Sequence, residues 1–193
     1  NVLYMIFYGL GTGSTMLCAQ YWGKKDLRAI AKVEGIALRF ALGFSILFAV
    51  PAAAIPETMM RLFTEDQELI CLGGQYLRII SISYLCWGVS EIYLSVLRSI
   101  ERVRISMLLN VTALLLNIIL NAVFVFGLFG APKMGIRGVA LATSTSRAVQ
   151  LIASLVVSAF SKDVKLQFRL MFEKSGVLLK DFVRLSLPAL GND

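Results

Sequence analysis

Residues 105–130 read Ile105-Ser-Met-Leu-Leu-Asn-Val-Thr-Ala-Leu-Leu-Leu-Asn-Ile-Ile-Leu-Asn-Ala-Val-Phe-Val-Phe-Gly-Leu-Phe-Gly, and this stretch decides the fold class. From Ile105 to Leu128 nothing is charged, a run long enough to cross the bilayer's hydrocarbon core as a helix. Its polar side chains are ordered. Ser106, Asn110, Asn117 and Asn121 recur at spacings of 4, 7 and 4, which on a helix places them in one stripe. A carboxamide without a partner in hydrocarbon costs several kcal/mol, so the stripe faces packed protein or a wet cavity rather than lipid.

The composition agrees. Hydrophobic residues make up 58% of the 193 and charged residues 16%, with a mean hydropathy of +0.76; soluble domains carry about 25% charged residues. The net charge of +7 raises the question of nucleic acid, but the basic residues sit in short loops with no aromatic-interleaved patch, so no nucleic-acid partner is expected. There are no histidines, which removes the commonest general base and zinc ligand. No paired carboxylates or placed nucleophile stand in for them, so the chain does not read as an enzyme and no cofactor is expected. Cys18, Cys71 and Cys86 form no CxxC; Cys18 and Cys86 read as small core residues and Cys71 as a loop residue. The chain opens at Asn1 without an initiator Met and stops at Asp193 just past a new apolar start, which reads as an internal fragment.

Five apolar spans are expected, at about 1–22, 33–55, 76–98, 105–128 and 138–160. Lys24, Lys25, Arg28 and Lys32 follow the first, Arg98, Arg102 and Arg104 the third, and Lys162, Lys165, Arg169, Lys174, Lys180 and Arg184 the fifth. The opposite ends hold only Arg61, Arg78, Lys133 and Arg137. The richly basic side is cytoplasmic by the positive-inside rule, giving a multi-pass protein of the cell membrane. The 56–75 connection, with Glu57, Glu65, Asp66 and Glu68, reads as an external loop with a short helix. Residues 164–185 alternate apolar and basic side chains at helical spacing and read as an amphipathic helix on the inner leaflet.

Asn117-x-x-x-Asn121, followed by Phe124-Val-Phe-Gly-Leu-Phe-Gly-Ala-Pro-Lys-Met-Gly-Ile-Arg-Gly-Val-Ala-Leu-Ala-Thr, resembles the fifth helix and following loop of MATE multidrug exporters. Ala19-Gln-Tyr-Trp-Gly-Lys-Lys-Asp is similar to that family's turn after its second helix, and Val96-Leu-Arg-Ser to the end of its fourth. The resemblance covers the whole chain. It implies an all-α membrane protein, with 1–160 as helices two to six of a six-helix lobe in a twelve-helix transporter. Residues 161–193 would then be the linker to a second lobe, and the first helix and second lobe of the same polypeptide would be the partners. The implied activity is export of small organic, often cationic, compounds, coupled to sodium or protons by alternating access, with the lipid bilayer as a further partner. A lipid-linked oligosaccharide or peptidoglycan-precursor flippase of the same superfamily is the alternative, as is a non-transporting membrane scaffold.

The candidate site is the asparagine stripe. Carboxamide oxygens can coordinate sodium, and their amides can bond a protonated carboxylate on a neighbouring helix. By resemblance Asn117 matches a family asparagine and Asn121 a position that is Asn in NorM-like and Asp in DinF-like members; a sodium at Asn117 and Asn121, with Asn110 in the same cavity, is what that implies. The plainer reading is interhelical glue worth roughly 0.6 kcal/mol per contact. Glu91 reads as the only acidic residue inside a clear span and shares a face with Tyr84, Gly88 and Ser95. It reads as a proton or substrate-path group or as half of an ion pair with a cation such as Arg147. Arg147, deep in the fifth span, pairs or faces water, while Arg39 snorkels to the interface. Tyr4, Phe7, Tyr8, Tyr21, Trp22, Tyr84, Trp87 and Tyr93 offer rings for flat cations or for packing and interface belts. Gly9-Leu-Gly-Thr-Gly13-Ser fails the GxGxxG pattern at Ser14 and reads as a close-packing face. Gly130, Pro132, Gly135 and Gly138 are expected to shape a tight outer turn.

Overall fold

A computed structural model describes residues 2–127, 132–161 and 176–191, in seven helices. They are α1 (Val2–Gly23), α2 (Leu27–Ala54), α3 (Pro56–Arg61), α4 (Gln67–Ser99), α5 (Val103–Phe126), α6 (Ile136–Phe160) and α7 (Gly176–Gly191). The described residues contain no strand. Four helices, α2, α4, α5 and α6, are long and apolar enough to cross a membrane, and α1 has 22 residues. The protein is an all-helical membrane protein.

Local chemistry sets the helix ends. The Asp26 side chain accepts from the Ala29 N–H at 3.0 Å and starts α2; Asp66 accepts from the Glu68 N–H at 2.9 Å and starts α4. Pro51 stands in the last turn of α2, and Pro56 opens α3, where its missing N–H costs nothing. Gly127, left-handed at φ 72°, closes α5 and donates its N–H to the Val123 carbonyl.

The middle of the lobe is α4, which packs on α1, α2, α3, α5 and α6. Its partners α1 and α2 complete a core around Phe7, Ile30, Val33, Ile92, Tyr93 and Leu97. The contrast with α5 is large. The most apolar window of α4 has mean hydropathy 1.4 and is 61% buried in protein; that of α5 has 2.2 and is 6% buried. Met107, Leu108, Val111, Leu114, Leu115, Ile118 and Ile119 of α5 are exposed, a face whose apolar partner is lipid. Asparagines occupy the other face.

Several expectations change. Cys71 is helical, not in a loop, because α4 begins at Gln67 under its Asp66 cap. With 33 residues, α4 is about 50 Å long against a hydrocarbon core of about 30 Å. Its outer end packs on α3, where Glu57 lies against Gly74 and Met60 against Gly73. Of the expected amphipathic stretch, residues 164–175 lie outside the described residues. The rest belongs to α7, which docks one face along α1 and α2 and leaves Val177, Lys180 and Arg184 exposed on the other. Phe182 is buried there, stacked on Phe40 at 5.8 Å. Close packing of α1 is real but uses two faces. A Cβ at Gly11 would stand 2.7 Å from the Ser95 hydroxyl of α4, and one at Gly13 would collide with Ser186 of α7. Gly138 is not in the turn but inside α6, tight against Phe124 of α5; Gly130 lies outside the described residues.

Candidate functional site

Residues of α1, α4, α5 and α6 line one cavity, with α4 as the helix that touches the other three. The α5 stripe faces protein along its length. Ser106 donates to the Leu94 carbonyl of α4 at 3.2 Å. Asn110 accepts from Gln150 Nε2 of α6 at 2.8 Å. Asn117 Nδ2 reaches Thr143 Oγ1 at 3.3 Å and Ser146 Oγ at 3.2 Å, both on α6, and its Oδ1 accepts from Asn121 Nδ2 at 3.0 Å. Asn121 Oδ1 is buried and accepts from nothing among the described residues. Such an acceptor costs about 1–3 kcal/mol until a donor or cation reaches it. Two of the three stripe carboxamide oxygens are therefore engaged, and Asn121 Oδ1 is the open one.

The cavity beside the stripe, about 520 Å³, is lined by Tyr4, Tyr8, Trp87, Glu91, Asn110 and Arg147, with Thr15 and Arg98 at its edge. A second hollow of about 310 Å³ follows Asn110, Asn117, Thr143 and Ser146 between α5 and α6. A third, about 690 Å³, is lined by Tyr4, Phe48, Tyr76, Tyr84, Trp87 and Arg147. Arg147 borders all three. Its Nη1 donates to Gln150 Oε1 at 3.0 Å, and its guanidinium lies 4.8 Å from the Trp87 ring centroid. Tyr4 extends that aromatic wall, 5.8 Å from Trp87 and 6.1 Å from Tyr8.

Glu91 is paired. Arg98 Nη2, one turn beyond Ser95 on the same helix, donates to Glu91 Oε1 at 2.9 Å and to Ser95 Oγ at 2.7 Å. The ion pair is with Arg98 and not Arg147, because α4 carries both partners on its cavity face at a spacing of seven. Glu91 still acts on Arg147 electrostatically across the cavity.

The structure thus brings Asn110, Asn117, Asn121, Glu91 and Arg147 onto one connected polar seam. Tyr84 stands apart from Glu91, in the third hollow. Arg39 is exposed. The sequence reading missed Thr143, Ser146 and Gln150, although with Arg147 and Ser154 they form a polar stripe on α6 at spacings of 3, 1, 3 and 4 that answers the one on α5. It also missed Glu34, which lies inside α2, so Glu91 is not the only intramembrane carboxyl.

Residues 1–123 match the family model MatE. The chain is 26% identical over 194 residues to the uncharacterized transporter YisQ of Bacillus subtilis, covering 99% of this chain and 42% of that protein. To the probable multidrug resistance protein YoeA of the same organism it is 28% identical over 185 residues, covering 94% and 40%. It therefore spans about two fifths of the length of these curated relatives. In fold it matches an outward-facing multidrug resistance MATE family transporter of the MOP superfamily with a TM-score of 0.83, at 23% identity and over 98% of this chain and 41% of that one. The inward-facing conformation of such a transporter matches with a TM-score of 0.85, also at 23% identity, over 98% and 42%.

Proposed function

The chain belongs to the MatE family, and from that premise we propose that it supplies helices of one lobe of a multidrug exporter in a bacterial plasma membrane. The observation that carries the reading is the polar seam: carboxamides, one ion pair and one arginine that line a cavity of a lobe whose α5 face is apolar. Scaffold helices need glue but have no use for a cavity of about 520 Å³ that this seam lines.

The substrate is a small organic cation with aromatic surface. The cavity already holds flat cations of its own, one guanidinium on the Glu91 carboxylate and one over the Trp87 ring. A planar cation from outside would use the same carboxylate and the same ring face. Export is coupled to inward movement of sodium or protons, with Asn121 Oδ1 as the open acceptor that the coupling ion or a protonated partner group engages. Ion and drug then favour opposite states of an alternating-access equilibrium. A lobe that fits outward- and inward-facing folds almost equally well supports movement as one body. The flippase reading gains from Arg98 joining Arg147 in one cavity, but Glu91 already neutralises Arg98, leaving one arginine for a pyrophosphate.

The test is ethidium efflux from cells lacking their own drug pumps, driven by an imposed sodium or proton gradient. The transporter is the longest natural polypeptide containing this chain. Asn121→Leu removes both the open acceptor and the amide that orients Asn117. Gradient-driven efflux should drop about tenfold, as loss of one interaction worth 1.4 kcal/mol would give, while membrane insertion is retained. Efflux equal to wild type under either gradient would sink the coupling role.

A further inference from the structure

On the side of α4 that faces away from the cavity lies a second carboxyl. Glu34 of α2 is 1% exposed. Neither of its oxygens has a hydrogen-bond partner among the described residues. It sits seven residues into α2, about 10 Å from that helix's inner end. The groups that face it are Cys18 from α1 and Tyr93 from α4, both 0% exposed and both in electrostatic contact with it. Behind them stand Ser99, bonded to Cys18, and Ser158 of α6 and Arg102, which act on Tyr93. From α7 the residue buried against α2 is the apolar Phe182.

A bare carboxylate in such surroundings is costly, and nothing recorded there offsets its charge. No cluster of metal-ligating side chains surrounds it among the described residues. A proton needs none. We propose that Glu34 is a proton-binding site of this lobe, separate from the cavity, whose loaded form holds the inner ends of α1, α2 and α4 together. Water on the inner side supplies the proton, which adds to one carboxylate oxygen. When the proton leaves to that water, the charge left behind is stable only if the three helices part enough to hydrate it. For its use in transport the proposal rests on the alternating-access reading; its test does not.

Cys18 is a built-in reporter, a native thiol beside Glu34 that reagent reaches only when those helices separate. In the longest natural polypeptide containing the chain, with Cys71→Ser and Cys86→Ser, the rate of maleimide labelling at Cys18 is followed against pH, with Glu34 intact and with Glu34→Gln. A charged Glu34 disfavours the neighbouring thiolate and by itself slows labelling, so faster labelling with Glu34 at high pH reads helix separation and not thiol ionisation. The expected ratio is near one at about pH 5.5 and rises to about tenfold faster labelling with Glu34 at about pH 8.5. Glu34→Asp should keep the pH dependence. Should Glu34→Gln fail to assemble, Glu34→Met serves as the neutral variant. A ratio that stays flat across the range overturns the proposal. Absence of gradient-driven efflux in the unmodified protein would instead count against the exporter reading and leave the labelling result standing.

Discussion

The two carboxyls flanking α4 occupy opposite physical situations. Glu91, 19% exposed at the cavity, is held by Arg98 and lies among polar side chains. Glu34, at 1% exposure, has a thiol and a phenol for neighbours and no recorded hydrogen bond. The same functional group, a helix-width apart, is satisfied by a partner in one place and by nothing in the other. A paired charge can remain charged and be used for binding. An unpaired buried one is compatible with the fold only when its charge is removed or the surroundings open. The lobe thus separates a polar, cavity-lining face from a dry one where an unpaired charge is costly.

The largest effect expected from breaking this contrast is that of a cation. Glu34→Lys forces an ammonium among Cys18, Tyr93 and Val33 and should destabilise the lobe by about 3–5 kcal/mol, read as loss of monodisperse protein in detergent. Glu91→Lys, in the wet cavity beside Arg98, should remain folded. Equal losses would erase the distinction. Next comes chemistry rather than stability: Glu91→Gln should cut ethidium efflux about tenfold, through an interaction worth 1.4 kcal/mol, with the thermal midpoint unmoved. Normal efflux at every pH removes Glu91 from the path. Smaller still is Arg98→Met. Because Arg98 is 35% exposed, the pair is screened, and stability should change by no more than about 1 kcal/mol in thermal unfolding. Trp87→Leu should be the mildest, weakening dye binding a few-fold by removing a ring contact of about 0.5–1 kcal/mol; unchanged equilibrium binding would take that ring out of the site.

What could be read from the chain depended on contrast with its neighbours. Asparagines at 110, 117 and 121 stand out because everything around them is apolar, and their spacing alone predicts a stripe turned away from lipid. Glu34 was invisible for the opposite reason. It follows Arg28 and Lys32 at the start of α2, where a charged residue reads as the solvated edge of a span; only the packing of α1 and α4 over it turns the edge into interior. The seven-residue spacing of Glu91 and Arg98 was legible, but the choice of Arg98 over Arg147 as partner needed the rotation of α6 against α4. Gln150 and Ser146 were lost among the small and polar residues of α6, which has no uniform apolar background to set them off. The docking of α7 joins residues far apart in sequence, and no local pattern encodes it.

That last contact has a consequence for how the protein is made. Gly13 of α1 is shaped to receive Ser186 of α7, so a helix made early in this stretch is completed by one made much later. The Gly13 face must wait through the synthesis of α2 to α6 before its partner exists, whereas Gly11 and Thr15 meet Ser95 once α4 is made. During that interval the Gly13 face of α1 lacks the helix that covers it. Slowing translation between α6 and α7 lengthens the wait, and a chaperone or insertase that shields membrane helices would find its client there.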